Sequence, residues 1–177
     1  MILEETLNKL IRDVVNLLLS SPTFTIKSKP SKRRPTGSYA AVDFISDTGV
    51  GMEQRTFENN QGDDDLTENI TGMRSIMLSI DFYRVGSVDN ARKVKTRLVR
   101  ESIQELFRAA GVGLTSRSEV REISEALENG WEERAQFDIV LSATGTDSDV
   151  VRSILSVDMA AEFQFRGLKY NSIIEVQ

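Results

Sequence analysis

Apolar residues return at helical spacing in two parts of the chain. Between residues 2 and 20, Leu, Ile and Val recur every three or four positions with charged residues between them, and Pro22 follows the run. The same pattern fills residues 88–110, where Ser87 is placed to cap the start and Gly111 to end the helix. We predict two long amphipathic helices. The second has a predicted buried stripe of Ala91, Val94, Leu98, Val99, Ile103, Leu106, Phe107 and Ala110.

Alternation of apolar and polar residues predicts the strands. Short strands are expected over residues 23–28 and 38–46, and a clearer one occupies the end of the segment 70–83. Residues 132–142 form another, with one apolar face that consists of Ala135, Phe137, Ile139 and Leu141. Two short strands around residues 166–167 are predicted to end the chain.

Two segments give less regular signals. Residues 112–128 fit either a strand with an irregular turn or a short helix. After them, Thr146 or Asp147 is placed to cap a short helix that ends near Val157.

A long β-hairpin over residues 50–83 is predicted as an arm whose far end is solvated or meets a partner. Its polar tip contains Asp63, Asp64 and Asp65. These aspartates favour a solvated loop over a Ca²⁺ or Mg²⁺ site, because consecutive carboxylates do not converge on one point and their spacing differs from that of an EF-hand. A third interpretation is electrostatic pairing with a basic surface of a neighbouring chain.

These elements together predict the fold class and the domain organisation. The chain is expected to be α+β, with an antiparallel β-sheet flanked by two long helices and the extended hairpin arm. Residues 1–177 show no clear linker or repeat, so we predict a single domain.

Composition excludes several kinds of chemistry. The chain has no His and no Cys, which excludes Ser-His-Asp and Cys-His catalysis, thiolate metal sites and disulfides. Its net charge of −5 disfavours sequence-independent binding to duplex DNA. Charged residues interrupt the apolar N-terminal run, which therefore fits neither a signal peptide nor a membrane span. No cofactor is predicted.

One tripeptide raises an enzymatic alternative. Asp47-Thr48-Gly49 follows an apolar strand, as in aspartic proteases, where two such loops share a proton between carboxylates. Ser46 replaces the apolar residue expected before the aspartate, and Asp-Thr-Gly is a common turn sequence. The chain is therefore predicted not to be an enzyme.

Basic residues cluster in two places. Lys32, Arg33 and Arg34 lie in a Pro-rich loop that is either solvated, a protein contact or, less favoured, a contact with DNA that passes nearby. The second helix carries basic residues largely outside its apolar stripe, which indicates a solvated face or a contact with an acidic partner. These residues are Arg92, Lys93, Lys95, Arg97 and Arg100.

The only tryptophan of the chain begins the segment "WEERAQFDIVL". Trp131 is either an anchor that closes the sheet over the second helix or a contact with another subunit. Glu132 and Arg134 lie two residues apart and so on one face of a strand, where they pair with each other or across an interface. The candidate subunit or partner interface consists of these three residues, the basic loop Lys32–Arg34 and the acidic loop Asp63–Asp65.

Residues 72–142 carry a resemblance to a known family. An Arg-containing alternating strand ends in an aromatic residue, a capped helix ends in "ELFRAAG", and "WEERAQFDI" follows. This order resembles the phage neck or tail terminator family. The resemblance implies a virion protein, assembled in the host cytoplasm, that caps the tail tube as a ring, usually a hexamer, and ends tube polymerisation. It implies no catalytic residue and no cofactor.

The same resemblance implies the partners. These are other copies of the chain, the tail tube protein, neck and connector proteins and, in a contractile tail, the sheath protein. DNA would only pass through the lumen of the ring, and no membrane is involved. A head-completion or stopper protein of the neck is the alternative, which differs by binding on the portal side.

Overall fold

In a computed structural model, the chain has an α+β fold with a mostly antiparallel sheet. The backbone is described for residues 4–20, 24–27, 34–59, 65–127, 130–152, 157–165 and 168–176. Within these ranges the helices are α1 (Glu4–Leu19), α2 (Ser87–Arg97) and α3 (Glu101–Ala109). The strands are β1 (Phe24–Lys27), β2 (Tyr39–Asn59), β3 (Asp65–Tyr83), β4 (Val112–Arg117), β5 (Arg121–Glu122), β6 (Glu125–Leu127), β7 (Gly130–Glu132), β8 (Arg134–Arg152), β9 (Val157–Phe165) and β10 (Leu168–Val176).

The main sheet has six strands in the order β1-β2-β3-β8-β4, with β5 also paired to β8. Both β4 and β5 run antiparallel to β8. One pair departs from the predicted antiparallel sheet, since β1 runs parallel to β2 with Phe24 opposite Tyr39. Two smaller antiparallel pairs, β6–β7 and β9–β10, complete the described strands. The latter pair confirms the two predicted C-terminal strands.

One face of the sheet and the three helices enclose the core. Alternate residues of β3 and β8 point into it, and the predicted apolar face of residues 132–142 is fully buried. Helix α1 adds its apolar stripe to the same cluster, as its periodicity predicted. The largest buried side chains include Phe82, Phe107 and Phe137, and the rings of Phe82 and Phe137 stack at 6.0 Å.

The predicted second helix is two helices, so the prediction of one helix over 88–110 was wrong. The chain breaks at Arg100, which has an extended backbone, and the side chain of Gln104 donates a hydrogen bond of 2.8 Å to the carbonyl of Leu98. Because of this break, the predicted apolar stripe is not continuous. Val99 is 53% exposed, while Ile103 and Phe107 remain buried. Leu106 and Ala110, also expected to be buried, are exposed.

The N-cap of α2 is not the predicted residue, whereas the glycine that follows α3 is. Gly86, with a φ of 79°, occupies the N-cap position of α2, and Ser87 is its first helical residue. The hydroxyl of Ser87 is buried without a hydrogen-bond partner among the described residues, so its predicted capping role was wrong. Gly111 follows α3 with a φ of 71°, as expected for the glycine that ends a helix.

The two less regular segments both form strands. Residues 112–127 contain β4, β5 and β6, which agrees with the strand alternative and not with a short helix. The helix predicted from Thr146 or Asp147 to Val157 was also wrong, because β8 continues as a strand to Arg152. Thr146 and the valines that follow favour extended backbone, and the hydroxyl of Ser148 contacts Asn69 of β3 at 2.6 Å.

The described residues divide into two compact units. The first contains residues 1–53 and 71–146, and the second contains residues 54–70 and 147–177. Strands β2 and β3 are neighbours in the main sheet, but a hairpin arm that reaches beyond the protein is not confirmed. The single-domain organisation stays a prediction.

Candidate subunit interface

Two stacked tyrosines lie where β2 begins and β3 ends. The rings of Tyr39 and Tyr83 are 4.6 Å apart between centroids and within 10° of parallel. Burial raises the pKa of both phenols above the ordinary value of 10.0, so both are neutral at physiological pH. The stack therefore forms a rigid, uncharged platform at this end of the sheet.

Arg134 joins this platform to two carboxylates. Its guanidinium carbon lies 4.9 Å from the ring centre of Tyr83, and its Nη2 atom donates a hydrogen bond of 3.2 Å to Asp81. Its Nη1 atom donates to Glu125 of β6 at 3.3 Å. Burial raises the pKa of Asp81, and the charge of Arg134 only partly opposes this effect. Arg134 therefore offsets the cost of a buried carboxylate and joins β6 to β3 and β8.

Glu132 and Glu133, at the junction of β7 and β8, bind the turn that contains Arg84 and Gly86. Glu132 lies 4.0 Å from Arg34 and 3.9 Å from Arg84. Glu133 accepts a hydrogen bond of 2.9 Å from the backbone N–H of Gly86, and its carbonyl accepts one of 2.6 Å from the N–H of Arg84. Arg84 has a φ of 71°, which is strained for a residue other than glycine, so these bonds stabilise a strained turn. The backbone beside Trp131 is therefore held in place.

Trp131 itself is 77% exposed, although its neighbours are tied down. It lies in β7 opposite Ala126 of β6. The interpretation of Trp131 as an intramolecular anchor was therefore wrong, because the indole does not enter the core. Val85, on the turn held by Glu133, is 79% exposed. We call the surface around the exposed Trp131 and Val85, bordered by Arg34, Arg84 and the largely buried Glu132, the Trp131 surface.

A family model described as "phage neck terminator protein" matches residues 3–166. The chain belongs to the phage neck terminator family. A chain in a solved structure, "Virion of native gene transfer agent (GTA) particle", is 12% identical, with a TM-score of 0.33. That match covers 76% of this chain and 85% of the other. No curated protein matches, so family membership rests on the first match.

Membership of the neck terminator family makes this chain a structural protein of the phage neck or tail, located in the virion. The family is not known as an enzyme family. None of the described helices is long and apolar enough to cross a bilayer. In the part of the chain that the structure describes, no group of three or more acidic residues is arranged to hold a metal ion.

The predicted interface residues of this neck terminator fall into two sets. The structure brings Arg34, Glu132 and Arg134 together around Tyr83, with Trp131 in the strand that carries Glu132. In the described ion pairs Glu132 and Arg134 have different partners, and not each other. The second set is not tested. Lys32, Arg33, Asp63 and Asp64 lie outside the described residues, and only the backbone of Asp65 is described, at the start of β3.

Sequence reasoning missed the residues that hold this surface together. Tyr39, Asp81, Tyr83 and Arg84 were not singled out, although they contact three predicted residues. The alternating patterns predicted the strands that carry Tyr39 and Tyr83, but not which of their residues lie opposite each other.

Asp47, the residue of the enzymatic alternative, is an ion-pair partner in this structure. Its Oδ1 atom accepts a hydrogen bond of 2.7 Å from the Nε atom of Arg74, and this contact raises the pKa of Arg74. A paired carboxylate on a strand of the sheet has a structural explanation that needs no catalytic role.

Proposed function

We propose that this protein caps the phage tail tube as a homo-oligomeric ring, ends tube polymerisation and joins the tail to the neck. The family match over residues 3–166 carries this proposal. We take the ring to be hexameric. Its partners are then the tube protein, the neck and connector proteins and, in a contractile tail, the sheath protein, while DNA passes through the lumen. Assembly takes place in the host cytoplasm.

The Trp131 surface supports a contact between copies. A large aromatic side chain exposed to water is a typical anchor of protein interfaces, where its burial contributes strongly to affinity. The adjacent backbone is fixed by Glu133, and Glu132 is held between two arginines. Because the indole is presented by a braced backbone, little of its mobility would be lost when a partner covers it.

The tube-capping role is tested by electron microscopy of tail tubes assembled without this protein. After its addition, we expect density at one end of each tube and a tube length that no longer increases. Tubes that keep growing, with no density at either end, would overturn the proposal. Binding to the portal side under the same conditions would instead identify a stopper protein.

The role of the hairpin arm gives a second test. Deleting residues 58–68 is expected to leave the first compact unit folded but to prevent ring formation. None of the buried core residues described lies between positions 43 and 75, so the deletion removes nothing from that core. Thermal unfolding by circular dichroism measures the fold, and sedimentation velocity measures assembly. Rings that persist after the deletion would show that the arm is not the assembly element.

A further inference from the structure

A basic groove runs beside α2, on a different part of the first unit from the Trp131 surface. It has a volume of about 540 Å³ and lies between α2 and the segment that joins β4 to β5. We call it the α2 groove. It is lined by Arg92, Lys95, Val99, Arg117, Glu119 and Val120.

The cations of the α2 groove are positioned by the fold. Arg117 donates a hydrogen bond of 2.6 Å from its Nη1 atom to the backbone carbonyl of Lys95, which places its guanidinium against α2. Arg92 is exposed on the same helix and forms no ion pair among the described residues. Lys95, in the last turn of α2, is the third cation of the lining, which contains one acidic residue, Glu119. The groove therefore presents a concentrated positive charge in a chain whose net charge is −5.

One carboxylate already occupies the edge of the groove. The Nζ atom of Lys95 lies 3.0 Å from Glu119, whose side chain is 94% exposed. An ion pair this exposed contributes little stability, so a carboxylate from another chain can replace Glu119 at Lys95 at low cost. Val99, exposed by the break between α2 and α3, offers an apolar contact beside the same cations.

We propose that the α2 groove binds the acidic segment around Asp63–Asp65 of a neighbouring copy of this chain. The chain contains no other run of three consecutive acidic residues, and Leu66 follows it with an apolar side chain that matches Val99. The proposal rests on the proposed ring. A contact between two different surfaces of identical subunits is heterologous, and heterologous contacts generate rings when the rotation closes.

The test titrates a synthetic peptide of residues 58–68 into the purified full-length protein, diluted until sedimentation shows monomers. Binding is measured by fluorescence anisotropy. We expect saturable binding that weakens as salt is raised. A peptide with all three aspartates changed to asparagine is expected to bind at least about tenfold more weakly, because three charge contacts are lost. A scrambled peptide of the same charge is expected to bind more weakly than the native sequence.

A matched pair of protein variants locates the site. Arg92→Glu is expected to weaken peptide binding about tenfold, because it reverses a charge at the groove. Arg108→Glu makes the same charge reversal on α3 outside the groove and is expected to leave the affinity unchanged. Equal affinity in the two variants would overturn the proposal. So would equal binding of the native and asparagine peptides, or of the native and scrambled peptides.

Complementary charge reversal tests the same contact in the full chain. Arg92→Glu/Lys95→Glu and Asp63→Lys/Asp64→Lys/Asp65→Lys are each expected to reduce self-association, and a chain that carries all five changes is expected to recover it. Failure to recover would count against the contact. The peptide assay requires neither rings nor tubes, so its outcome is independent of whether the protein caps a tail tube.

Discussion

Replacing Arg134 with methionine is expected to lower the free energy of unfolding by about 3 kcal/mol. The substitution leaves the carboxylate of Asp81, whose side chain is only 8% exposed, without its cationic partner. It also removes the stacking of the guanidinium on Tyr83 and the bond to Glu125. For a chain of this length the melting temperature should fall by roughly 6–12 °C, which differential scanning calorimetry measures directly.

A matched substitution tests whether this loss of stability is specific to Arg134 or follows from removing any surface arginine. Arg121 forms a shorter ion pair, 2.6 Å from Asp138, but its side chain is 53% exposed. Arg121→Met is therefore expected to cost less than about 1 kcal/mol. Adding Asp81→Asn to Arg134→Met should recover about 1 kcal/mol or more, because the buried charge is removed together with its partner. If the two arginine variants are equally stable, Arg134 is not the residue that offsets the burial of Asp81.

The pH dependence of the Arg134→Met variant provides an independent check. Burial raises the pKa of Asp81, and without Arg134 it should rise further. Between the ordinary pKa of 3.8 and this raised pKa, the folded state holds a proton that the unfolded chain has released. Protonation of Asp81 therefore favours the folded state. The difference in unfolding free energy between the variant and the unmodified protein should shrink as pH falls from neutral towards the raised pKa of Asp81.

Periodicity in the sequence predicted the core well but not where helices break. The apolar positions from Ala91 to Phe107 satisfy one continuous stripe, so nothing in their spacing separates α2 from α3. The break is fixed by the extended backbone of Arg100 and by the bond from Gln104 to Leu98. Such local side-chain bonds leave no periodic signal.

At the end of β8, the sequence predicted a helix where the structure has a strand. Thr146 and Asp147 are good helix caps, and a capping pattern was the strongest local signal there. In the structure, neighbouring strands decide the outcome, since β8 continues beside β3 beyond its buried portion. Tertiary pairing overrides a local capping preference when a long strand already has a partner.

The sequence predicted one part of the candidate interface but not the residues that contact it. Trp131, Glu132 and Arg134 are conspicuous because they are adjacent in sequence. Their partners Asp81 and Arg84 lie about fifty residues earlier and are brought near by the order of strands in the sheet. A prediction that includes strand order as well as strand positions would have found them.

The described contacts support the backbone that carries Trp131 from two sides. The network around Arg134 joins β6 to β8, and β6 pairs with β7, which carries Trp131. Glu133 fixes the other end of this segment through Gly86. A site supported from both sides by bonds that do not involve the indole can present it at low entropic cost. Changes to the support should therefore affect stability, while changes to Trp131 should affect only assembly.

Trp131→Ala is accordingly expected to prevent ring formation while leaving the fold intact. Truncation of an interface anchor costs about 2 kcal/mol or more, which weakens each contact between copies by about 30-fold. Because the indole is 77% exposed in the single chain, the free energy of unfolding should change by less than about 0.5 kcal/mol. Sedimentation velocity over a range of protein concentrations measures assembly, and chemical denaturation measures stability.

The control for Trp131→Ala is Leu17→Ala, which truncates another exposed apolar side chain, on α1. This variant should assemble as the unmodified protein does, because Leu17 is outside the Trp131 surface. Trp131→Phe should assemble at an intermediate concentration, since a phenyl ring retains part of the apolar area of indole. Rings that form from Trp131→Ala at the same concentration as from the unmodified protein would show that the indole is not a subunit contact. In that case the exposed tryptophan would be expected to meet the tube or a neck protein, and the same variant should then fail to cap tubes although its rings form.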